Sequence, residues 1–187
     1  MNKIPLNKNT ALSVLLAVVC VVIAIRITPV SVDPVIKLII SKNSVNITHI
    51  DQARNIESTK EVWVDIINLA EKNRFQHPKL GEIGYASEFF VDIDAPFTIK
   101  QAGNYQFMIA SDDGFKLSID GKQLCSFPGS RGIATQTCNV TLTEGTHNFQ
   151  LSYYQGYGHA GLKAQYTKVS SNKTYWVGEN SAALRFD

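Results

Sequence analysis

Residues 107–121 read FMIASDDGFKLSIDG, with two adjacent carboxylates, Asp112 and Asp113, followed by Gly114. Side-by-side carboxylates repel one another, and a cation beside them offsets the repulsion. Two readings are open from the residues alone. One is a hairpin turn in which an Asp caps backbone amides and Gly114 takes a positive φ. The other is half of a Ca2+ site, which needs six to eight oxygens at ~2.3–2.6 Å. Two aspartates are too few for that, so carbonyls, other side-chain oxygens, water or a ligand must complete the shell. Other chemistry is sparse. The four histidines, His49, His77, His147 and His159, lack metal-ligand spacing. No Gly-x-Ser-x-Gly, His-Glu-x-x-His, Cys-x-x-Cys or phosphate-binding loop is present, so no catalytic site is expected.

Periodicity locates the strands that carry the aspartates. From Phe89 onward apolar residues alternate: Tyr105, Phe107 and Ile109 share one face, as do Phe115, Leu117 and Ile119, then Phe149, Leu151 and Tyr153, then Leu162, Ala164 and Tyr166. Short strands divided by Gly and Asp turns point to a mainly β fold, an antiparallel β-sandwich or barrel. Asp120-Gly121 is the strongest hairpin signal, since both residues tolerate the positive φ of a type I′ turn. Before the strands, Ser58 and Glu61 match a capping box, and Val62, Trp63, Ile66, Ile67 and Ala70 recur at helical spacing, with Lys72 and Arg74 at the end and Pro78 as a stop. A short helix covering one end of the core is expected there. Residues 35–40 are a short apolar run, read as a strand or a packing segment.

The N-terminal region is of another kind. Residues 11–25, ALSVLLAVVCVVIAI, are unbroken and apolar, and residues 10–27 just reach the length of a membrane span. Lys3 and Lys8 precede the run, which by the positive-inside rule leaves the N-terminus in the cytoplasm and exports the residues beyond the span. A retained transmembrane helix is expected rather than a cleaved signal peptide. Taking Lys3, Lys8 and Arg26 from the 18 basic residues leaves 15 against 16 acidic ones, which argues against a nucleic-acid partner. Export makes a disulfide between Cys125 and Cys138 the expected state, with two free thiols as the alternative. Asn46, Asn139 and Asn172 each begin an N-glycosylation pattern, of consequence only in a eukaryotic source.

The stretch GNYQFMIASDDGFKLSIDGKQL resembles the central signature of the PA14 domain family, and VTLTEGTHNFQLSYYQGYGHAGLKAQY resembles its second half. The likeness covers residues 84–168. It implies a PA14-like β-sandwich that is not itself catalytic, in a family of which many members bind glycans and several hold Ca2+ on the paired aspartates through a cis peptide. The domain plan expected is a cytoplasmic tail over 1–9, a transmembrane helix over 10–27, a linker or packing segment over 28–57 and the sandwich over 58–187.

Metal ligands implied by the resemblance are Asp112 and Asp113. The neighbouring loop, residues 155–161, carries no Asp or Asn, leaving Gln155 and backbone oxygens as helpers. The ligand-binding set expected is Asp112, Asp113, Tyr154, Gln155, Tyr157 and His159, with Tyr154 and Tyr157 stacking on sugar C–H faces and the others bonding hydroxyls. Tyr153 is assigned to the core, and Arg131 to a solvated loop tip. The function expected is a membrane-anchored, exported module for a glycan or cell-envelope ligand, with Ca2+ as its candidate cofactor, at a bacterial inner (cell) membrane with its C-terminal domain periplasmic or extracellular. The alternative is a non-catalytic subunit of a multi-protein envelope complex, contacting partner proteins through the anchor and residues 27–83.

Overall fold

The computed structural model describes residues 7–27, 31–171 and 173–186. Lys3 and Asn172 lie outside these, as do the side chains of residues 25–27, including Arg26. The chain falls into two units, residues 1–31 and 32–187.

The first unit holds α1 (Lys8–Ile27), a helix of 20 residues. Asn7 caps its start, its side-chain oxygen accepting the Thr10 N–H at 2.9 Å. Leu12, Val14, Leu16, Val18, Val21 and Ile23, which lie on different faces, are all exposed, so apolar surface surrounds the helix. Its described side chains end at Ala24, and among the described residues no helix is long and apolar enough to cross a membrane.

The second unit is an antiparallel β-sandwich. Its strands are β1 (Ile36–Asn43), β2 (Ile56–Val64), β3 (Asn68–Leu69), β4 (Gln76–His77), β5 (Gly81–Glu82), β6 (Phe89–Ile99) and β7 (Gly103–Asp112). They continue with β8 (Phe115–Ile119), β9 (Lys122–Phe127), β10 (Ala134–Leu142), β11 (Gly145–Gln155), β12 (Gly161–Lys168), β13 (Tyr175–Trp176) and β14 (Leu184–Phe186). One sheet runs β2-β1-β6-β11-β8-β9, with β14 also pairing β6; the other runs β10-β7-β12-β13, with β3 pairing β12. Alternation sets the core. Phe97 and Phe149 from the first sheet meet Phe107 and Tyr166 from the second, ring centres 5.7–6.3 Å apart along Phe97–Phe107–Phe149 and Phe107–Tyr166. Burial of each such ring stabilises by about 1.5–3 kcal/mol. The β8–β9 hairpin turns at Asp120 and Gly121, with φ 53° and 76°, as its Asp-Gly pair predicts. Cys125 and Cys138 form a disulfide joining β9 to β10, and so one sheet to the other.

The helix expected before the sandwich is not there. Ile56–Val64 is edge strand β2, paired with β1 from Ile36↔Val64 to Asn43↔Ile56. The residues that imitate a capping box are long-range partners instead: the Ser58 hydroxyl meets the Tyr85 hydroxyl at 3.1 Å, and Glu61 pairs with Lys37 at 2.8 Å. Trp63 points outward at 47% exposure, whereas Val64, Ile67 and Leu69 are buried. Helical spacing arose because an edge strand with one wet face runs straight into the irregular segment that carries Ile67 and Leu69. The sandwich therefore begins well before residue 58: residues 36–43, placed in the linker segment, are β1, an inner strand of the larger sheet.

Candidate functional site

The aspartates sit where β7 turns into β8, at one end of the sandwich. The Asp112-Asp113 peptide is cis. Both carboxyls are nearly buried, with residue exposures of 9% and 6%. Asp113 is held by backbone amides: Oδ1 accepts Arg131 N–H at 3.2 Å and Oδ2 accepts Gly156 N–H at 2.9 Å. The Tyr153 hydroxyl lies against the Asp112 carbonyl and 2.9 Å from Gln155 Oε1, and accepts Gly161 N–H at 3.3 Å. Gln155 Nε2 in turn donates to the His159 carbonyl at 2.7 Å. One buried network thus ties the cis turn to the loop after β11. Burial holds the Tyr153 phenol well above its ordinary range, so it stays neutral and serves as a fixed bridge.

Two glycines are needed here for space. Gly114 does not take the positive φ expected of it; instead a Cβ there would lie 2.4 Å from Tyr154 Cε1 and 2.7 Å from the Phe127 carbonyl oxygen. A Cβ on Gly156 would stand 2.8 Å from the Ile47 carbonyl oxygen. Both permit backbone to approach closely around the carboxylates.

Asp112 borders a cleft of about 440 Å3 whose walls include Asn73, Gly132, Ile133, His159 and Lys163. A second cleft of about 370 Å3 shares Lys72, Asn73, His159 and Ala160 with it and continues past Arg74, Glu82 and Tyr85. The two adjoin at these shared residues, the first being the groove beside Asp112. Lys72 and Asn73 reach it from a tight turn in which both take positive φ, 51° and 60°, and Glu71 and Arg74 bridge each other's backbone. His159 and Tyr157 come from the loop after β11, where Tyr157 is 90% exposed.

Of the expected ligand-binding residues, Asp112 and His159 face the groove, and Tyr157 lies exposed on the same loop. Tyr154 and Gln155 do not offer themselves to a ligand. Both are fully buried, Tyr154 packing on Phe90 and bonding the Thr48 carbonyl at 2.9 Å. Alternation along β11 turns Tyr154 outward, but residues 44–55 fold over it, with Ile47 and Ile50 closing a small apolar cluster around Phe90 and Tyr154. Arg131 is not a solvated tip. Its guanidinium stacks 4.2 Å from the Phe127 ring centre and Nη2 donates to Ser111 Oγ at 2.9 Å. Sequence reasoning missed Lys72, Asn73 and Lys163. The only signal for the first two was a polar KN pair, read there as a helix end.

The fit to a divalent cation is good by charge and short by count. Burial, and next the neighbouring Asp113, push the Asp112 carboxyl above its usual range, against smaller opposing effects of His159, the Ile133 amide and Arg131. A carboxylate in that position is one a cation would stabilise. Yet among the described residues no three His, Cys, Asp or Glu side chains come together to hold a metal. Asp112 and Asp113 would hold the ion, and the remaining oxygens would have to come from carbonyls, water or ligand hydroxyls.

Known structures share the fold. The PA14 domain of the MpAFP antifreeze protein superposes with a TM-score of 0.60 at 13% identity, covering 83% of this chain and 97% of that one. A sugar-binding PA14 domain from an RTX adhesin gives 0.56 at 19% identity, covering 75% and 95%. The epithelial adhesin 9 A domain of Candida glabrata, in complex with Galβ1-3GlcNAc, gives 0.55 at 13% identity, covering 82% and 90%. No curated protein matches the chain in sequence. The PA14 domain model matches residues 81–180, more than half of the chain. The chain belongs to the PA14 domain family.

Proposed function

We propose that this chain is an exported carbohydrate-binding module, tethered by α1, that grips glycan hydroxyls in the groove beside Asp112. The observation that carries the reading is the groove itself. A nearly buried carboxyl, an Asn, a His and a Lys converge on it from separate elements, with exposed Tyr157 nearby. Few polar groups aimed into a preformed cleft suit orientation of a polyhydroxylated ligand. Tyr157 offers a ring face to sugar C–H groups at little entropic cost. Two structural neighbours are described with sugars, one as sugar-binding and one bound to a disaccharide, and this supports the ligand class.

Ca2+ enters as a second part of the same proposal. Asp112 and Asp113 would hold it and sugar hydroxyls would complete its shell, so metal and glycan would bind together. A bound ion would supply charge compensation for the paired carboxylates. The anchor is the third part. A helix that is apolar on every face has no place for those side chains in water, and the basic residues before it favour a cytoplasmic N-terminus at a bacterial inner membrane with the sandwich outside.

A glycan array probed with the full chain in detergent tests the reading. Glycans retained by the wild type and lost by Asp112→Asn are expected; a blank array refutes it. Chelation with EGTA should release those glycans, and unchanged retention removes the metal. Alkaline carbonate extraction should leave the chain in the membrane pellet, and release into the supernatant removes the anchor.

A further inference from the structure

A concave surface larger than either of these clefts lies elsewhere, on the outer face of the seven-stranded sheet. It encloses about 540 Å3 across β1, β6, β11 and β8. Cross-strand register sets its floor in two rows. Ile39, Asp92, Ser152 and Lys116 stand directly opposite one another through the pairs Ile39↔Asp92, Asp92↔Ser152 and Ser152↔Lys116. In the next row Asp94↔Gln150 and Gln150↔Ser118 are paired, Lys37 follows on β1, and Lys37↔Trp63 carries the row to the edge strand. Residues 44–55 cover the neighbouring part of the same face through Ile47 and Ile50, so they form a wall along one side. Asp51 and Arg54 of this wall make ion pairs down to Lys116 and Asp92.

The charges on this face argue for one class of ligand. Lys37 is paired with Glu61 at 2.8 Å, Arg54 grips Asp92 with both nitrogens, Lys116 is paired with Asp51, and Asp94 accepts Gln150 Nε2 at 3.3 Å. A polyanion would find these cations already paired with carboxylates, and the partner of Asp94 is a neutral amide. Gln150 Oε1 also accepts the Gly121 N–H and the Ser152 hydroxyl donates to Asp92, so what remains on offer is the Ser118 hydroxyl and the spare hydrogen-bonding capacity of Gln150, Ser152 and Asp94, with apolar patches at Ile39 and Trp63, 38% and 47% exposed. A neutral, hydroxyl-rich chain matches both. Four strands ~4.8 Å apart give a floor roughly 14 Å across, a length suited to an oligosaccharide rather than one sugar. The volume falls in the usual range for ligand clefts.

We propose that this face is a second carbohydrate site, independent of Asp112 and of metal, for a neutral oligosaccharide lying across β1, β6, β11 and β8 and ending against Trp63. It and the groove at the aspartates are on different surfaces, so the chain could hold two glycan segments at once. The full chain in detergent is titrated calorimetrically with cellohexaose, chitohexaose and an acidic hyaluronan oligosaccharide, for the wild type, Asp112→Asn, Trp63→Ala and Gln150→Ala. At least one neutral hexasaccharide should bind wild type and Asp112→Asn alike, and Trp63→Ala and Gln150→Ala should each weaken it by about fivefold or more in protein that still melts cooperatively above the titration temperature. Absence of binding by both neutral hexasaccharides up to about 10 mM, indifference to both face substitutions, loss in Asp112→Asn, or stronger binding of the acidic chain each overturns the proposal.

Discussion

Replacing Gly114 by alanine isolates the idea that the turn after the aspartates is shaped by space rather than by backbone conformation. The added Cβ would lie 2.4 Å from Tyr154 Cε1, 2.7 Å from the Phe127 carbonyl and 3.0 Å from the Gly129 carbonyl. Tyr154 cannot swing aside freely, because its ring packs on Phe90 and its hydroxyl bonds the Thr48 carbonyl and Ser130. The two carbonyls are backbone and move only with the β9–β10 connection. Overpacking of this kind costs ~1–3 kcal/mol. In a domain of this size each kcal/mol lowers the melting temperature by ~2–4 °C, so a fall of ~2–12 °C is expected. Gly132→Ala is the control: it meets nothing within 4 Å and takes no positive φ, and it should stay within ~2 °C of the wild type. Calorimetric melting of the full chain measures both. If Gly114→Ala melts with Gly132→Ala and the wild type, the packing explanation of the turn is wrong.

Three other outcomes are expected. Cys125→Ser with Cys138→Ser opens a link of sequence separation 13 that joins the two sheets, and should cost about 3 kcal/mol in denaturant unfolding on the chain-entropy model. His147 places Nδ1 2.6 Å from Asp120 Oδ2 and Nε2 2.9 Å from the Thr143 carbonyl, so only the doubly protonated ring satisfies both acceptors. Burial works against that charge, but these bonds outweigh it and raise the His147 pKa above the ordinary 6.5. Its contribution is therefore complete below pH 6.5 and lost as pH rises through the raised folded value. Asp120 is lowered from 3.8, its hydrogen bonds outweighing burial, so its share is lost as pH falls through the depressed value. His147→Asn should flatten the decline in melting temperature above pH 6.5, and an unchanged profile would exclude the pair as its source. Asp112→Asn removes a carboxylate that burial disfavours, and at pH 7 without added ligand it should melt above the wild type; a lower melting temperature would mean the charge is already compensated.

The sandwich was legible where both faces of a strand have distinct fates. Tyr105, Phe107 and Ile109 are fully buried and alternate with the less buried Gln106, Met108 and Ala110, because one side of β7 is core and the other is nearer the surface. β2 was not legible as a strand, because on that edge only Val64 is fully buried and the partners that fix Ser58 and Glu61 lie on other elements. The aspartate turn, its cis peptide and the exposed Tyr157 could be expected from the local pattern and its family resemblance. The burial of Tyr154 could not, since it depends on Ile47 and Ile50, about a hundred residues earlier in the chain. For the same reason Asn73 and Lys163 were invisible as groove residues: one comes from the turn between β3 and β4 and the other from β12, and only the folded sandwich brings them to Asp112.

Whether the groove beside Asp112 holds a glycan is decided by a crystal structure of the protein soaked with a glycan selected on the array by its dependence on Asp112. Sugar density is expected between Asp112, Asn73, His159 and Lys163, with hydroxyls within hydrogen-bond reach of the Asp112 carboxyl. Density bound elsewhere, with this groove filled only by solvent, would contradict the glycan reading of the groove.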